Sequence, residues 1–228
     1  MKSLLLIISL TSLFYLNIGY SQANTQGQAA DPLVARIFGK DIYLSSLKPN
    51  EKELSQYQSF YPDSSSEQLL TKIRQNKLSE LIWSPINKQF EEQHDIEPTE
   101  AEVASFKSAM SRISPSSGSL DTASLSPEEQ AQINAFRKEW VKSWKKSKAL
   151  YETFGGVVIF QQGNPLEPVG AYRSLLEQHK NKGDFEIYDE ELNATFWEYF
   201  VREHPFQVPT EDIDYSKPWW EKLPPESE

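Results

Sequence analysis

The side chains that most often carry out chemistry are few in this chain and far apart. Cysteine is absent, so there is no thiol nucleophile, thiolate metal ligand, disulfide or lipid-anchoring cysteine. The three histidines, His94, His179 and His204, are scattered. A zinc site wants two ligands at short helical spacing with others nearby, and none of these histidines has a second one beside it. His94 lies among Glu91, Glu92 and Asp95 and reads as a solvated helix end. No G-x-S-x-G elbow, P-loop or G-x-G-x-x-G string occurs. The Phe154-Gly155-Gly156-Val157 turn could offer N–H groups to an anion, but a glycine helix stop explains it more simply. The expectation is no metal and no cofactor.

Three other sets of side chains could bind or react. Glu152, Glu186, Asp189, Glu190 and Glu191 lie near aromatic residues, as carboxylates do in sugar sites. A glycosidase pair is defined by the distance between two carboxyls, which sequence does not give. Asp189 to Glu191 also suit the start of a helix, where the dipole favours negative charge. Arg137, Lys138, Lys142, Lys145, Lys146 and Lys148 form a basic strip opposed only by Glu139. Such a strip is either a solvated helix face, paired with the acidic tail, or a contact for anionic lipid headgroups, lipopolysaccharide or an acidic partner. Trp140 and Trp144 stand one turn apart on another side of that helix, in a stripe that suits a core or a groove for apolar side chains.

The elements that must place these residues follow from local signals. Val34 to Phe38, Gly39-Lys40-Asp41 and Ile42-Tyr43 predict a small hairpin. Tyr57, Phe60 and Tyr61 belong to a short helix or loop ending at Pro62. Ser64-Ser65-Ser66-Glu67 is a capping box before Leu70, Ile73, Leu78, Ile82, Ile86 and Phe90, one amphipathic helix with Pro85 inside it. Pro85 predicts a kink near Leu81–Trp83. Thr99-Glu100-Ala101-Glu102 starts a shorter helix through Val103, Phe106 and Met110.

Ser111 to Ser126 is a Ser-rich loop. Ser126-Pro127-Glu128-Glu129 then opens a helix carrying Ile133, Phe136, Trp140, Trp144, Tyr151 and Phe154, which Gly155-Gly156 stops. Val157 to Phe160 reads as a short buried strand and Gly163-Asn164-Pro165 as a turn. A helix from about Val169 to Lys182 ends at Gly183. Phe185 to Tyr188 is briefly extended, Asp189 caps a helix through Phe196, Trp197 and Phe200, and residues 206–228 form an acidic tail rich in Pro and carrying Trp219-Trp220.

Composition sets the class. The chain has 228 residues, 23 Lys plus Arg and 33 Asp plus Glu, for a net charge of −10. That balance disfavours nucleic acid, which needs clustered cations. Residues 1–23 read as a secretory signal, with Lys2, the apolar run Leu4 to Leu16, and small residues Ser21 and Ala23 before cleavage. Cleavage after Ser21 is the alternative. The apolar run is shorter than the ~20 residues a membrane span needs. Residues 24–32 read as a disordered leader, 33–110 as the hairpin with its first helices, and 127–205 as the rest of the same domain.

The hairpin Val34-Ala35-Arg36-Ile37-Phe38-Gly39-Lys40-Asp41-Ile42, and the helix running from Ile86 into Asp95-Ile96-Glu97-Pro98-Thr99-Glu100-Ala101-Glu102-Val103, resemble the N-terminal chaperone domain of SurA/parvulin-type periplasmic foldases. That family carries a V-x-x-V-N-G-x-x-I hairpin and a G-I-x-V-T-x-x-E-V joint. Phe38 stands where its Asn would be, and Asp95 to Thr99 replace the start of the joint. The likeness covers about residues 33 to 110. It implies a mainly α fold with a hairpin and one added strand. It further implies that Val157–Phe160 is that strand and that the helix from Pro127 packs on the helix from Glu67. The family's isomerase module has no counterpart; only the Ser-rich loop stands in its place.

The resemblance implies an exported, periplasmic, ATP-independent chaperone-like protein that binds unfolded or extended polypeptides without prolyl isomerase activity. Candidate peptide contacts are Trp83, Phe90, Trp140, Trp144 and Tyr151. The alternative is an adaptor for one folded envelope protein, docking through Trp219 and Trp220, with peripheral membrane contact through the basic strip. A small carboxylate-dependent hydrolase is the third reading.

Overall fold

The computed structural model describes residues 31–113, 125–162 and 164–222. The expected signal, most of the leader and most of the Ser-rich loop lie outside the described residues. Asp31 and Pro32, expected in the leader, belong to the fold. The Asp31 carboxylate accepts hydrogen bonds from the Ser45 N–H (3.0 Å) and hydroxyl, and the Pro32 carbonyl accepts from the Leu44 N–H (2.9 Å).

Strands β1 (Leu33–Ile37) and β2 (Lys40–Tyr43) form the antiparallel hairpin, with Ile37 opposite Lys40. Its two-residue turn holds Phe38 at φ 47° and Gly39 at φ 76°. Positive φ at both positions matches the twist of the flanking strands. Glycine adopts it freely, whereas a side chain such as phenylalanine costs about 1 kcal/mol there.

The third strand of this sheet is β5 (Phe185–Ile187), which pairs antiparallel with β1, Phe185 facing Ile37, to give the order β2-β1-β5. Val157–Phe160 was expected in that place and does not occupy it. Ile159–Gln161 (β3) pairs instead with Asn164–Glu167 (β4) in a separate ribbon, so Asn164 and Pro165 are strand rather than turn. Residues 206–208 join its other side, where the Phe160 N–H donates to Phe206 O (2.8 Å) and the Val208 N–H to Val158 O (2.9 Å). The cause is local. The chain leaves the helix that ends at Phe154 through Gly155 and Gly156, both at positive φ, and the Gly170 N–H donates to Val157 O at 2.9 Å. Val157 is thereby tied to the following helix and turned away from the hairpin.

Six α-helices complete the described chain. α1 (Glu51–Phe60) starts at a reciprocal box, with the Glu53 N–H donating to Asn50 Oδ1 (2.9 Å) and the Asn50 N–H to Glu53 Oε2 (2.7 Å). α2 (Ser66–Gln93) is capped by Ser65 and Gln68 and continues through Pro85 as one helix. Leu69, Ile73, Leu78, Ile82, Ile86 and Phe90 are its buried residues. It ends with Asp95 at φ 48° and the Ile96 N–H donating to Glu91 O (3.2 Å), the bond that closes a left-handed helix end. α3 (Glu100–Ile113) starts from the expected Thr99–Glu102 box and takes in the first residues assigned to the Ser-rich loop. α4 (Pro127–Phe154) is capped by Ser126. α5 (Val169–Lys182) stops at left-handed Gly183, and α6 (Glu190–Val201) is capped by Asp189, which accepts from the Leu192 N–H at 2.9 Å.

Two apolar clusters hold these elements. The larger joins the sheet to α2, α5 and α6 through Val34, Ile82, Ile86, Leu176, Phe185 and Phe196. The smaller joins α3 to α4 and the C-terminal segment through Val103, Phe106, Val141, Trp144, Tyr215 and Trp220. α4 contributes to both, with Leu150 in the first and Val141 in the second. It therefore packs chiefly on α3 and α5, not along α2 as expected, and meets α2 at that helix's end, where Phe90 approaches Phe154. The coarse expectation, mainly helical with a small antiparallel β element, describes this architecture.

Candidate functional site

Phe136, Glu139, Trp140, Ser143 and Trp144 are spaced three or four residues apart and so share one stripe of α4. They form one wall of an open groove of about 320 Å³. Gln161, Gln162 and Asn164 of the β3–β4 ribbon form the second wall, and Trp219 closes one side. Phe136 is 60% exposed, while Trp144 is buried. The rings are inclined to one another at varied angles. Trp140 stacks on Phe106 (20° between planes), meets Phe136 at 59° and Trp219 at 70°.

The polar wall is braced from beneath. Asn164 donates through Nδ2 to the buried Ser147 Oγ (3.2 Å) and to the Glu167 carboxylate. The Tyr215 hydroxyl donates to Leu166 O (2.8 Å), pinning the C-terminal segment to β4. Burial pushes the Glu167 carboxyl up, against the opposing influence of Asn164 and Lys146. Burial likewise raises the Tyr172 and Tyr215 hydroxyls, and the nearby Glu167 adds to both. Gln161 Nε2 donates to Tyr199 Oη (2.6 Å), which holds the ribbon against α6.

The expected contact residues separate into groups. Trp140, Trp144 and Trp219 meet in the groove. Trp83 lies against Tyr172 and Phe200 in the main core and borders a smaller cavity, about 250 Å³, between α2 and α6. Phe90 is buried, with His94 stacked on it at 4.1 Å. Tyr151 packs on Tyr215 at 5.2 Å. Trp220, expected as a docking residue, is 1% exposed and fills the chain's own second cluster, edge-on to Phe106 and Trp144. The pocket it anchors in belongs to this chain. Phe136 was visible in the sequence as part of the α4 stripe, but Gln161, Gln162 and Asn164 carry no local signal that they face it.

The basic strip is a seam inside the protein. Lys142 and Lys146 both bind Glu91, at 2.8 and 3.2 Å, and Lys145 binds Glu102 (3.2 Å) and Glu97 O (2.8 Å). Lys138 reaches Glu100 and Lys148 reaches Glu152, both at 3.8 Å, and Arg137 donates to Asn134 (2.9 Å). An anionic surface would have to displace carboxylates from Lys142, Lys145 and Lys146, whereas Arg137 has no carboxylate partner among the described residues and the Lys138 and Lys148 pairs are long and exposed; none of these partners lies in the expected acidic tail. Burial pushes Glu91 up, but the two lysines outweigh it and hold its carboxyl below the ordinary range.

The carboxylates weighed for hydrolysis have other partners. Asp189 caps α6, Glu190 and Glu191 occupy its first turn, Glu186 sits opposite Arg36 in the sheet, and Glu152 pairs with Lys148. Among the described residues no group of three or more His, Asp or Glu could hold a metal ion, and no helix is long and apolar enough to cross a membrane. No protein-family model matches the chain, and neither a curated protein nor a solved structure matches it.

Proposed function

We propose that this chain is an exported, non-catalytic, ATP-independent protein of the cell envelope that binds extended or unfolded polypeptide in the α4 groove. The observation that carries the reading is the pairing of mutually inclined aromatic rings with a wall of side-chain amides in one open groove. Apolar side chains would enter between Phe136, Trp140 and Trp219, and Gln161 and Gln162 would meet main-chain N–H and C=O groups. Two backbone features support kinship with the foldase chaperone domain. Asp95 takes the left-handed conformation at the position of the family's joint glycine, and a strand from the C-terminal part of the chain returns to the hairpin. A dedicated adaptor is the less supported reading, because Trp220 is already seated in this protein.

The test is suppression of aggregation of chemically unfolded client proteins by the purified mature chain, with binding followed by tryptophan fluorescence. Trp140→Ala should weaken client binding about tenfold, as truncating an aromatic hot spot does. Trp140→Phe should retain most of it and report that the fold is intact. Equal protection by wild type and Trp140→Ala would remove the groove from the mechanism. Capture of a single folded envelope protein in place of unfolded chains would favour the adaptor.

A further inference from the structure

The groove carries one charge. Glu139 is the charged side chain among its lining residues, it lies at the exposed rim, and among the described residues it has no ion pair. This contrasts with the rest of α4. Lys138, Lys142, Lys145, Lys146 and Lys148 each have a carboxylate partner, and those partners are Glu91, Glu100, Glu102 and Glu152. The helix thus places five cations next to the chain's own carboxylates, while Glu139, which only influences Lys142 at longer range, lines the groove together with its aromatic rings. Phe136 is three residues from Glu139 and Trp140 is its direct neighbour, and Trp219 completes the ring set.

Aromatic faces are electron-rich, and a carboxylate beside them adds a full negative charge, so the site attracts a cation carried on an apolar stem. The chain already uses this chemistry at Trp144, where Lys148 Nζ lies 5.6 Å from the ring centroid. Phe136, Trp140 and Trp219 have no such internal cation among the described residues. A lysine or arginine side chain matches every part of this arrangement. Its methylenes lie along rings, its charged end reaches the rim where Glu139 stands, and its main chain stays level with Gln161 and Gln162. The chain's net charge of −10 would steer such segments inward.

We infer that the α4 groove selects polypeptide segments bearing a lysine or arginine, whose cation seats between Phe136, Trp140 and Trp219 and pairs with Glu139. The inference rests on the polypeptide-binding reading above and adds the charge preference of that same site. A purely apolar ligand would leave Glu139 unpaired at the rim. An acidic segment would bring a second carboxylate against it.

The probes are three acetylated and amidated Ser/Ala decapeptides, each with one Phe. One carries a Lys, its twin has norleucine at that position, and the third has Glu. Binding to the full mature chain is measured by calorimetry in 0.15 M and 1 M salt. The lysine peptide should bind about 5- to 10-fold more tightly than the norleucine peptide, the combined effect of ring and rim carboxylate. The glutamate peptide should bind more weakly than both. Glu139→Gln lies on the exposed rim and should leave the circular dichroism spectrum unchanged. It should reduce lysine-peptide affinity about threefold, remove most of its salt dependence and leave the norleucine peptide unaffected. Equal affinity for the lysine and norleucine peptides would overturn the charge preference while leaving polypeptide binding intact. Loss of binding by all three peptides, with client protection also absent, would overturn both. An equal effect of Glu139→Gln on the lysine and norleucine peptides would show that Glu139 shapes the groove and does not read charge.

Discussion

Replacing Glu91 with Gln should destabilise the protein by about 2–3 kcal/mol, and the loss should fade as the pH falls. Glu91 ends α2 and joins it to α4 through Lys142 (2.8 Å) and Lys146 (3.2 Å). Its side chain is 19% exposed, and those of the two lysines are 27% and 18% exposed. Exposed pairs contribute up to about 1 kcal/mol, and breaking a buried pair costs about 3–5, so a half-buried carboxylate serving two lysines falls between. Glutamine keeps the shape and one acceptor but leaves two lysines without their counter-charge. In a folded unit of this size the effect corresponds to a fall in Tm of roughly 5–10 °C at neutral pH. The lysines hold the folded-state carboxyl below its unfolded value, so its contribution is fully present above the unfolded pKa of about 4.3. It is lost as the pH drops through the folded value. Urea melts of wild type and Glu91→Gln from pH 7 to pH 3 should therefore converge at the acid end. A triple variant, Glu91→Gln with Lys142→Met and Lys146→Met, should recover much of the loss, because it removes the uncompensated charge. A difference below about 0.5 kcal/mol at pH 7, or one that does not change with pH, would refute the seam as a source of stability.

Three further substitutions test the backbone and the groove's support. Gly170→Ala would place a Cβ against Val157 N and 2.9 Å from Gly156 Cα, so it should cost about 2–4 kcal/mol in a urea melt; an unchanged midpoint would mean the Gly156 turn yields freely. Phe38→Asn should stabilise by about 0.5–1 kcal/mol, since asparagine tolerates the left-handed turn that Phe38 occupies at φ 47°, and a thermal melt in which Tm falls would contradict this. Glu167→Gln should raise the urea midpoint at pH 7. Burial lifts the folded carboxyl above its unfolded value, so the wild-type contribution is complete below about pH 4.3 and declines as the pH rises. The advantage of the variant should thus vanish in acid, and an advantage that persists at pH 3 would argue against the burial effect.

Where local chemistry decides structure, the sequence was readable. Thr99 and Ser126 start helices where their capping patterns placed them, and Gly155 and Gly183 stop helices; Ser65 caps α2 one residue later than the Ser64–Glu67 box, and the hairpin forms with its turn at Phe38–Gly39 in place of Gly39–Asp41. Reading failed where the partner is distant in the chain. Val157 to Phe160 looks the better strand, being more apolar than Phe185 to Ile187, but the Gly156–Gly170 contact commits it elsewhere. The lysines of α4 gave no sign that their carboxylates lie on α2 and α3. The segment 206–222 looked like a tail because prolines and acidic residues dominate it, although Tyr215 and Trp220 anchor it to the second cluster. At the groove, the stripe Phe136–Trp140–Trp144 was legible from helical spacing. The amide wall was not, because nothing local fixes how the short β3–β4 ribbon lies against α4.

The packing of Tyr215 and Trp220 onto α3 and α4 also sets an order of events. Ribosomes deliver these residues after α3 and α4, so the α3–α4 face is made before the side chains that cover it. Until then Phe106, Trp140 and Trp144 stand open on a chain that is otherwise able to fold, a surface prone to self-association. The same relation runs in reverse for the finished protein. Proteolytic trimming behind Pro209 would leave the hairpin and its sheet intact yet uncover a tryptophan-rich surface. An intact C-terminal segment is thus what keeps this aromatic surface covered, independent of whatever occupies the groove.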